Sequence, residues 1–286
     1  LRMALELALI LKQKQHNWEP HRWLLDRTLV IIFDKPSMRT RVSFGAGMVQ
    51  LGGLTVQLDR EEIALGERET VRDAAAVLSR YADGSMIRFS SQALVDELAA
   101  HADIPVINGL TDDEHPCQAL ADVLTMTERF GDLTGRRVAY FGDGNNVCSS
   151  LMIASTWLGA SFVAATPAGY EPAAAAIAIA PPKGDVEVTQ DPHAAAAGAD
   201  VHYTDVWTSM GHEAERERRL RDFQGYGIDA GILAAAPEHA IVMHDLPAHY
   251  GEEITEEILH GPRSAVWDQA ENRLHAQKAV LALVMR

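Results

Sequence analysis

The chain of 286 residues is 47% hydrophobic and 23% charged, which is typical of a globular protein with one large domain or two smaller ones. Its net charge of −15 argues against general binding to nucleic acids or anionic membranes, although a local arginine cluster can still hold a small anion. Two cysteines do not make a disulfide scaffold and fit a reducing, cytoplasmic location, and neither a signal peptide nor a membrane-spanning apolar run is evident.

Apolar and amphipathic segments alternate through the first part of the chain. Strands are predicted at 29–33, 54–58, 84–89 and 105–108, and helices at 1–13, 42–51, 70–81, 93–102 and 118–130. This alternation is typical of a parallel α/β layer structure. A junction at 131–135, which contains two glycines, separates this series from the next.

A second α/β series follows the junction. Its predicted strands are 137–141, 161–166, 186–189, 201–204 and 241–244, its predicted helices are 147–158, 173–180, 192–197 and 271–285, and 212–222 is predicted to be a polar, mobile loop. We therefore predict two doubly wound parallel-sheet α/β domains, at 1–130 and 131–267. The C-terminal helix, 268–286, is expected to complete the first domain.

Hydroxyl and guanidinium groups follow the first predicted strand, in Ser37-Met38-Arg39-Thr40-Arg41. A strand-to-helix turn points backbone N–H groups outward, and the helix dipole adds positive potential at the same place. Together with Ser37 and Arg39, this turn predicts a pocket for a phosphate group. The G-x-x-x-x-G-K-S/T pattern of a nucleotide-binding loop is missing from the sequence. An ordinary capped helix with surface arginines is the alternative interpretation.

A G-x-G sequence at Gly142 and Gly144 follows a predicted strand, as in dinucleotide-binding folds. Two features argue against an NAD site: Val147 occupies the third glycine position, and no acidic residue ends the next strand. Asn145 and Asn146 instead suit a capping role at a helix start, or recognition of the polar groups of a small ligand.

His115 and Gln118 lie one helical turn apart after a predicted strand. Open α/β sheets bind ligands at the carboxyl ends of their strands, so both side chains can face one pocket. The alternative is a structural histidine. Since no second histidine or acid recurs here at ligand spacing, we predict no metal site.

Three further acidic or basic residues follow strands or open a helix. Asp205 ends a predicted strand and could accept hydrogen bonds from an ammonium group, or simply lie in a solvated loop. Asp245 follows the last predicted strand. Arg273 opens the terminal helix, where a buried guanidinium needs anionic or carbonyl partners.

In this order, the motifs closely resemble those of the aspartate/ornithine carbamoyltransferases, from about residue 29 to the C-terminus. The matching stretches are Ser37-Met38-Arg39-Thr40-Arg41 (Ser-Thr-Arg-Thr-Arg in the family), His115-Pro116-Cys117-Gln118 (His-Pro-x-Gln), Asp205 with Ser209-Met210-Gly211 (the ornithine branch) and Glu271-Asn272-Arg273. The resemblance implies an active site in the cleft between the two domains. It also implies carbamoyl phosphate and L-ornithine as substrates, and no metal or organic cofactor.

The resemblance also implies residue roles. The carbamoyl phosphate contacts would be Ser37, Met38 (through its backbone), Arg39, Thr40, Arg88, His115, Gln118, Leu246 (through its carbonyl) and Arg273. Of these, Thr40, Arg88 and His115 would bind the carbonyl oxygen. The ornithine contacts would be Asn146, Asp205, Ser209 and Met210. The residues expected to take part in catalysis are Thr40, Arg88, His115, Asp245 and Arg273.

The sequence departs from the family pattern at three positions. Met38 replaces a threonine and removes one hydroxyl from the expected phosphate pocket. Ala64 stands where many relatives have a glutamine that reaches a neighbouring subunit's site. Asp245 stands where the family has cysteine, close to the reacting amine. An aspartate there could accept the amine's proton, or hold the amine as ammonium and slow its attack.

Two alternatives therefore stay open beside carbamoyl transfer to ornithine in arginine biosynthesis. One is transfer to a different amine, or operation in the direction of citrulline breakdown. The other is a catalytically weak, ligand-binding paralogue. The resemblance further implies a homotrimer or a higher homo-oligomer, with neither nucleic acid nor membrane as a partner.

Overall fold

The computed structural model describes residues 1–34, 36–63, 65–66, 69–181, 185–209 and 213–286. The chain forms two compact units: unit 1 comprises Leu1–Ala121 with Glu271–Arg286, and unit 2 comprises Asp122–Ala270. The predicted domain boundaries at 130/131 and 267/268 stay predictions. Both cysteines are free and buried. Within the described residues, no helix is at once long and apolar enough to cross a membrane.

Unit 1 is built on a four-stranded parallel sheet in the order β2-β1-β3-β4. Its strands are β1 (Thr28–Phe33), β2 (Leu54–Asp59), β3 (Gly84–Arg88) and β4 (Val106–Leu110). Its helices are α1 (Arg2–His16), α2 (Met38–Leu51), α3 (Arg60–Ile63), α4 (Val71–Tyr81) and α5 (Gln92–His101), and α6 (Pro116–Phe130) begins in it. Buried side chains of β1, β3, α4 and α5 form a common apolar core.

Unit 2 is built on a five-stranded parallel sheet in the order β7-β6-β5-β8-β9. Its strands are β5 (Arg137–Phe141), β6 (Ser161–Ala165), β7 (Val186–Thr189), β8 (Val201–Thr204) and β9 (Ile241–His244). Its helices are α7 (Asn146–Trp157), α8 (Ala174–Ile179), α9 (Pro192–Ala196), a 3₁₀ helix (Glu213–Glu215), α10 (Arg216–Asp222), α11 (Ala230–Leu233) and α12 (Glu256–Leu259), and α13 (Val266–Val284) begins in it. The prediction of two parallel α/β sheets is confirmed.

Each sheet has one point at which the strand order reverses. In unit 1 the chain goes from β1 to β2 on one side and then to β3 on the other, and in unit 2 it goes from β5 to β6 and later to β8. Loops that leave such a switch point in opposite directions open a crevice, where open α/β sheets bind ligands. Ser37 follows β1 and Arg88 ends β3, whereas Asn145 follows β5 and Asp205 follows β8. Four of the candidate residues therefore stand at the two switch points.

Three predicted elements differ most from the structure in extent or type. Helix α2 begins at Met38 rather than at 42, because Ser37 caps it and brings the basic residues into its first turn. The stretch predicted as a loop over 212–222 is helical from residue 213 on, and Arg219 in α10 is buried. Helix α13 begins at Val266, ahead of the predicted start, because Val266 is fully buried in the core of unit 2.

Candidate active site

The turn between β1 and α2 presents two hydroxyl groups. Ser37 has extended backbone, with φ −147° and ψ 105°, and its Oγ accepts the backbone N–H of Thr40 at 3.4 Å. The Ser37 hydroxyl also donates to Thr40 Oγ1 at 3.1 Å. Arg39 is half-buried, and the side chain of Met38 is exposed. Because the first N–H groups of a helix have no partners within it, this end of α2 suits a phosphate.

Two buried arginines of unit 1 approach the hydroxyl group of Thr40. Arg273 of α13 donates from Nη2 to Thr40 Oγ1 at 2.9 Å, and Arg88 of β3 approaches the same oxygen with Nη1 at 3.5 Å. Arg273 also donates from Nη1 to Oε1 of Gln118 in α6 at 2.6 Å. All four residues are at least nine-tenths buried. Two buried guanidiniums beside one hydroxyl create a positive potential that an anion would neutralise.

His115 lies directly before α6 and is 3% exposed. Burial, and then the charges of Arg273, Arg88 and Arg39, hold the pKa of His115 well below its ordinary value of 6.5. The imidazole is therefore neutral at physiological pH. A neutral imidazole can give or accept one hydrogen bond without adding a further positive charge to this arginine-rich region.

Replacing His115 with asparagine should make the free energy of unfolding less sensitive to acid. The pKa of His115 in the folded chain lies below the unfolded value of 6.5, so below that pH the unfolded chain takes up a proton that the folded chain does not. The stabilisation is complete above pH 6.5 and is lost as the pH falls below it.

Urea denaturation at neutral pH and at about pH 5 measures the free energy of unfolding at each pH. Its slope against pH should be smaller in His115→Asn, by the amount that corresponds to up to about one bound proton. His101→Asn, at the end of α5, is the control because His101 is exposed. An equal acid sensitivity of His115→Asn and the wild type would contradict the neutral, buried state of His115.

The switch point of unit 2 joins Asn145 to Asp205. Asn145 caps α7, since its Oδ1 accepts the backbone N–H groups of Val147 and Cys148, which confirms its predicted capping role. Its Nδ2 then donates to Asp205 Oδ2 at 2.8 Å. The backbone N–H of Val206 donates to Asp205 Oδ1 at 2.7 Å, and Asp205 is only 6% exposed. Asp205 is thus held rigidly as a carboxylate at the end of β8.

The turn after β9 is fixed by the imidazole of His244. Its Nδ1 accepts the backbone N–H of Leu246 at 2.8 Å, so the proton of a neutral ring lies on Nε2, which faces Glu253 Oε1 at 3.2 Å. The backbone N–H of His244 also donates to Gln269 Oε1 at 2.9 Å. The turn holds Asp245 with a side chain that is 10% exposed. Glu253 and Gln269 are fully buried but could not be recognised as such, because each lies in a polar stretch of the sequence, Glu252-Glu253-Ile254-Thr255-Glu256 and Asp268-Gln269-Ala270-Glu271.

Arg219 was missed because its segment was predicted to be a loop. It is 7% exposed, and its Nη1 donates to Asp143 Oδ2 at 2.5 Å and to the Trp207 carbonyl oxygen at 3.0 Å. Its guanidinium lies over the Tyr170 ring at 5.1 Å. Arg219 therefore ties the segment after β8 to the loop that leads into α7. Four arginines in residues 216–221 were the available signal, but a helical face could not be recognised in so short a stretch.

The other candidate residues are placed as follows. Asn146 is the first residue of α7, is half-buried and accepts the N–H of Val147 through its own side chain at 2.9 Å. Ser209 is half-buried in the segment after β8, and Leu246 is half-buried with a φ of 63°. Met210 and Ala64 lie outside the described residues. The structure thus gathers Ser37, Thr40, Arg88, Gln118 and Arg273 by direct or shared hydrogen bonds in unit 1.

Comparison with known proteins covers almost the whole chain. Residues 1–128 match a family model described as the carbamoyl-P binding domain of aspartate/ornithine carbamoyltransferase, and residues 134–284 match one described as its Asp/Orn binding domain. A curated relative from Pyrococcus furiosus, "Ornithine carbamoyltransferase, anabolic", is 51% identical in an alignment 286 residues long that covers 98% of this chain and 91% of the relative.

Two solved structures share this fold, one at higher and one at lower sequence identity. An ornithine carbamoyltransferase from Pyrococcus furiosus has a TM-score of 0.96 and 50% identity, covering 99% of this chain and 92% of the other. A mutant of N-acetyl-L-ornithine transcarbamylase has a TM-score of 0.88 and 28% identity, covering 99% of this chain and 95% of the other. The chain is therefore similar to transferases of carbamoyl groups along nearly its whole length.

Proposed function

Because the chain belongs to the aspartate/ornithine carbamoyltransferase family, we propose that it transfers the carbamoyl group of carbamoyl phosphate to the side-chain amine of L-ornithine. The products are L-citrulline and phosphate. The observation that carries the proposal is the convergence of Arg88 and Arg273 on the Thr40 hydroxyl, beside the helix N-terminus that Ser37 caps. A doubly anionic acyl phosphate, in which the phosphate is bonded directly to a carbonyl carbon, matches this chemistry.

Carbamoyl phosphate is bound, in this proposal, by the basic groups of unit 1. Ser37, Arg39, Thr40 and the backbone N–H of Met38 cradle the phosphate, and Arg88 bridges the phosphate and the carbonyl oxygen. Gln118 and Arg273 hold the carbamoyl amide. The hydrogen bond from Arg273 to Gln118 supports this role, because it turns the Gln118 amide into a fixed polar group.

The chemical step is an attack of the amine on the carbamoyl carbon. A tetrahedral oxyanion forms, which Arg88, His115 and the Thr40 hydroxyl stabilise, and its collapse breaks the bond to the phosphate oxygen. A neutral His115 fits this role as a hydrogen-bond donor. The released phosphate is itself basic enough to take the proton of the amine. Most of the rate gain would come from positioning and preorganised charge.

Ornithine is bound, in this proposal, by unit 2. Asp205 accepts hydrogen bonds from the α-ammonium group, and Asn146, Ser209 and Met210 hold the rest of the amino-acid end. The rigid, nearly buried carboxylate of Asp205 supports this role. The side-chain amine must lose its proton before attack, which at neutral pH requires a pKa about three units below that of a free alkylamine.

Asp245 should slow the reaction at neutral pH, since a nearby anion raises the pKa of an amine. We expect Asp245→Asn and Asp245→Cys to form citrulline up to roughly tenfold faster at pH 7, which corresponds to a fall of about one unit in the amine pKa. Steady-state citrulline formation across a pH range measures the effect. A lower rate in both variants would instead make Asp245 the proton acceptor, and unchanged rates would make it neutral.

A weak, ligand-binding paralogue is the second candidate, and Asp245 is the residue that favours it. A bisubstrate phosphonate analogue of carbamoyl ornithine separates the two, because tight binding with turnover supports the enzyme and tight binding without turnover supports the paralogue. We further propose the anabolic direction, in arginine biosynthesis, on the strength of the Pyrococcus furiosus relative. A homotrimer or higher homo-oligomer in the cytoplasm is proposed from the family resemblance, and the two free cysteines are compatible with that location.

A further inference from the structure

Two imidazoles and one carboxylate meet on the surface of unit 1, where the end of α1 packs beside α13. His16 is the last residue of α1, and Glu271 and His275 stand one turn apart on α13. One ligand atom from each of the three side chains can be chosen so that all lie within 4.8 Å of one another. None of these residues has a role in the proposed carbamoyl transfer.

The carboxylate oxygen Oε1 of Glu271 is the centre of the cluster. His16 Nε2 lies 2.8 Å from this oxygen, and His275 Nε2 lies 3.2 Å from it. Metal–nitrogen and metal–oxygen bonds of about 2.0–2.2 Å in a tetrahedral site place neighbouring ligand atoms roughly 3.3 Å apart. The observed separations from Oε1 are close to that spacing, so small side-chain rotations would suffice to surround an ion.

We propose that His16, Glu271 and His275 form a binding site for a divalent transition-metal ion, with Zn²⁺ as the best match. Imidazole nitrogens favour Zn²⁺, Cu²⁺ and Ni²⁺, whereas Mg²⁺ and Ca²⁺ prefer all-oxygen sites. The negative end of the α1 dipole at His16 favours a cation as well. The side chain of His275 is fully buried, while His16 and Glu271 remain 54% and 40% exposed, so water can complete the coordination.

Two positive charges act on His275, that of Lys278 and, more weakly, that of Lys12. Lys12 stands one turn before His16 on α1 and donates from Nζ to Asn272 Oδ1 at 2.8 Å. Its charge reaches both Glu271 and His275. A bound ion would be repelled by this ammonium group, so removing the charge should strengthen metal binding. If these three residues did not bind a metal ion, removing the Lys12 charge would not increase the affinity for the ion.

Among the described residues, one other cluster of this kind contains His249, Glu252 and Glu253. It is the weaker candidate, because Glu252 is paired with Arg216 and the buried Glu253 already holds His244. The experiment must nevertheless separate the two clusters.

Calorimetric titration of the full chain with ZnCl₂, and Co²⁺ absorption spectra as a report on nitrogen ligands, test the proposal. We expect saturable binding of Zn²⁺ that His16→Gln weakens at least roughly tenfold, since even an outer-shell change costs 10–100-fold in metal affinity. Lys12→Gln should tighten binding. His101→Gln and His249→Gln should leave it unchanged, because neither residue belongs to the site. Circular dichroism checks that each variant folds.

Binding should also raise the thermal melting temperature of the wild type, because an ion bound only by the folded chain stabilises it, and this gain should vanish in His16→Gln. Undetectable saturable binding to the wild type would overturn the proposal. So would binding that survives in His16→Gln but is lost in His249→Gln, or a lack of any gain in Lys12→Gln.

Discussion

Replacing Arg88 with alanine should lower kcat for citrulline formation by roughly 10²–10³-fold, the usual cost of losing one oxyanion donor. Arg88 ends β3 at the switch point of unit 1, is 9% exposed and approaches the Thr40 hydroxyl at 3.5 Å. In the proposed reaction its guanidinium faces charge that grows on the carbonyl oxygen and on the leaving phosphate, so it acts most strongly in the transition state. Steady-state kinetics with both substrates varied measure this effect.

The matched control is Arg72→Ala, because Arg72 is an exposed arginine of α4 in the same unit. Arg88→Lys keeps the charge but loses the planar fork of donors, so we expect activity between those of the wild type and Arg88→Ala. Thermal melting of each variant separates loss of folding from loss of chemistry. A folded Arg88→Ala variant whose kcat lies within twofold of the Arg72→Ala value would show that Arg88 has no catalytic role.

Replacing Asp205 with asparagine should raise the KM for ornithine by roughly 10–150-fold, which corresponds to a charged hydrogen bond worth about 1.5–3 kcal/mol. The Asp205 carboxylate is fixed by Asn145 at 2.8 Å and by the Val206 N–H at 2.7 Å. An amide of the same shape has no charge to attract an α-ammonium group. The KM for carbamoyl phosphate should stay unchanged, because that substrate carries no ammonium group.

Asp222→Asn is the control for this change. Asp222 is an exposed carboxylate of unit 2 that accepts the hydroxyl of Tyr170 at 2.8 Å, so the same substitution removes a charge without touching Asp205. A rise in the KM for ornithine alone would assign Asp205 to the recognition of ornithine. If Asp205→Asn raised both KM values equally, the residue would serve the fold of unit 2 and not the recognition of ornithine.

The strands of this fold were the most predictable elements, because an apolar run buried on both faces is visible in sequence. The predicted strands 137–141, 201–204 and 241–244 have the observed bounds of β5, β8 and β9. The start of α2 was less predictable. Its first turn is rich in basic residues, and only the hydrogen bond from the Thr40 N–H to Ser37 shows where the helix begins.

The groups of the candidate site were predictable in kind but not in arrangement. Arg273 and Thr40 are separated by 233 positions in the chain, so no local pattern could predict their hydrogen bond. The family resemblance implied only that both residues contact the same substrate. Arg219 could not be found by either route, because its burial depends on Asp143 and the Trp207 carbonyl, which the folding of unit 2 brings to it.

Carbamoyl transfer is tested most directly by steady-state product formation with carbamoyl phosphate and a panel of acceptor amines. The panel should contain L-ornithine, N-acetyl-L-ornithine, L-aspartate and L-lysine. We predict the highest kcat/KM with L-ornithine, with citrulline and phosphate released in equal amounts. A higher kcat/KM with another amine, or tight binding of a bisubstrate phosphonate without any turnover of ornithine, would contradict the proposed function.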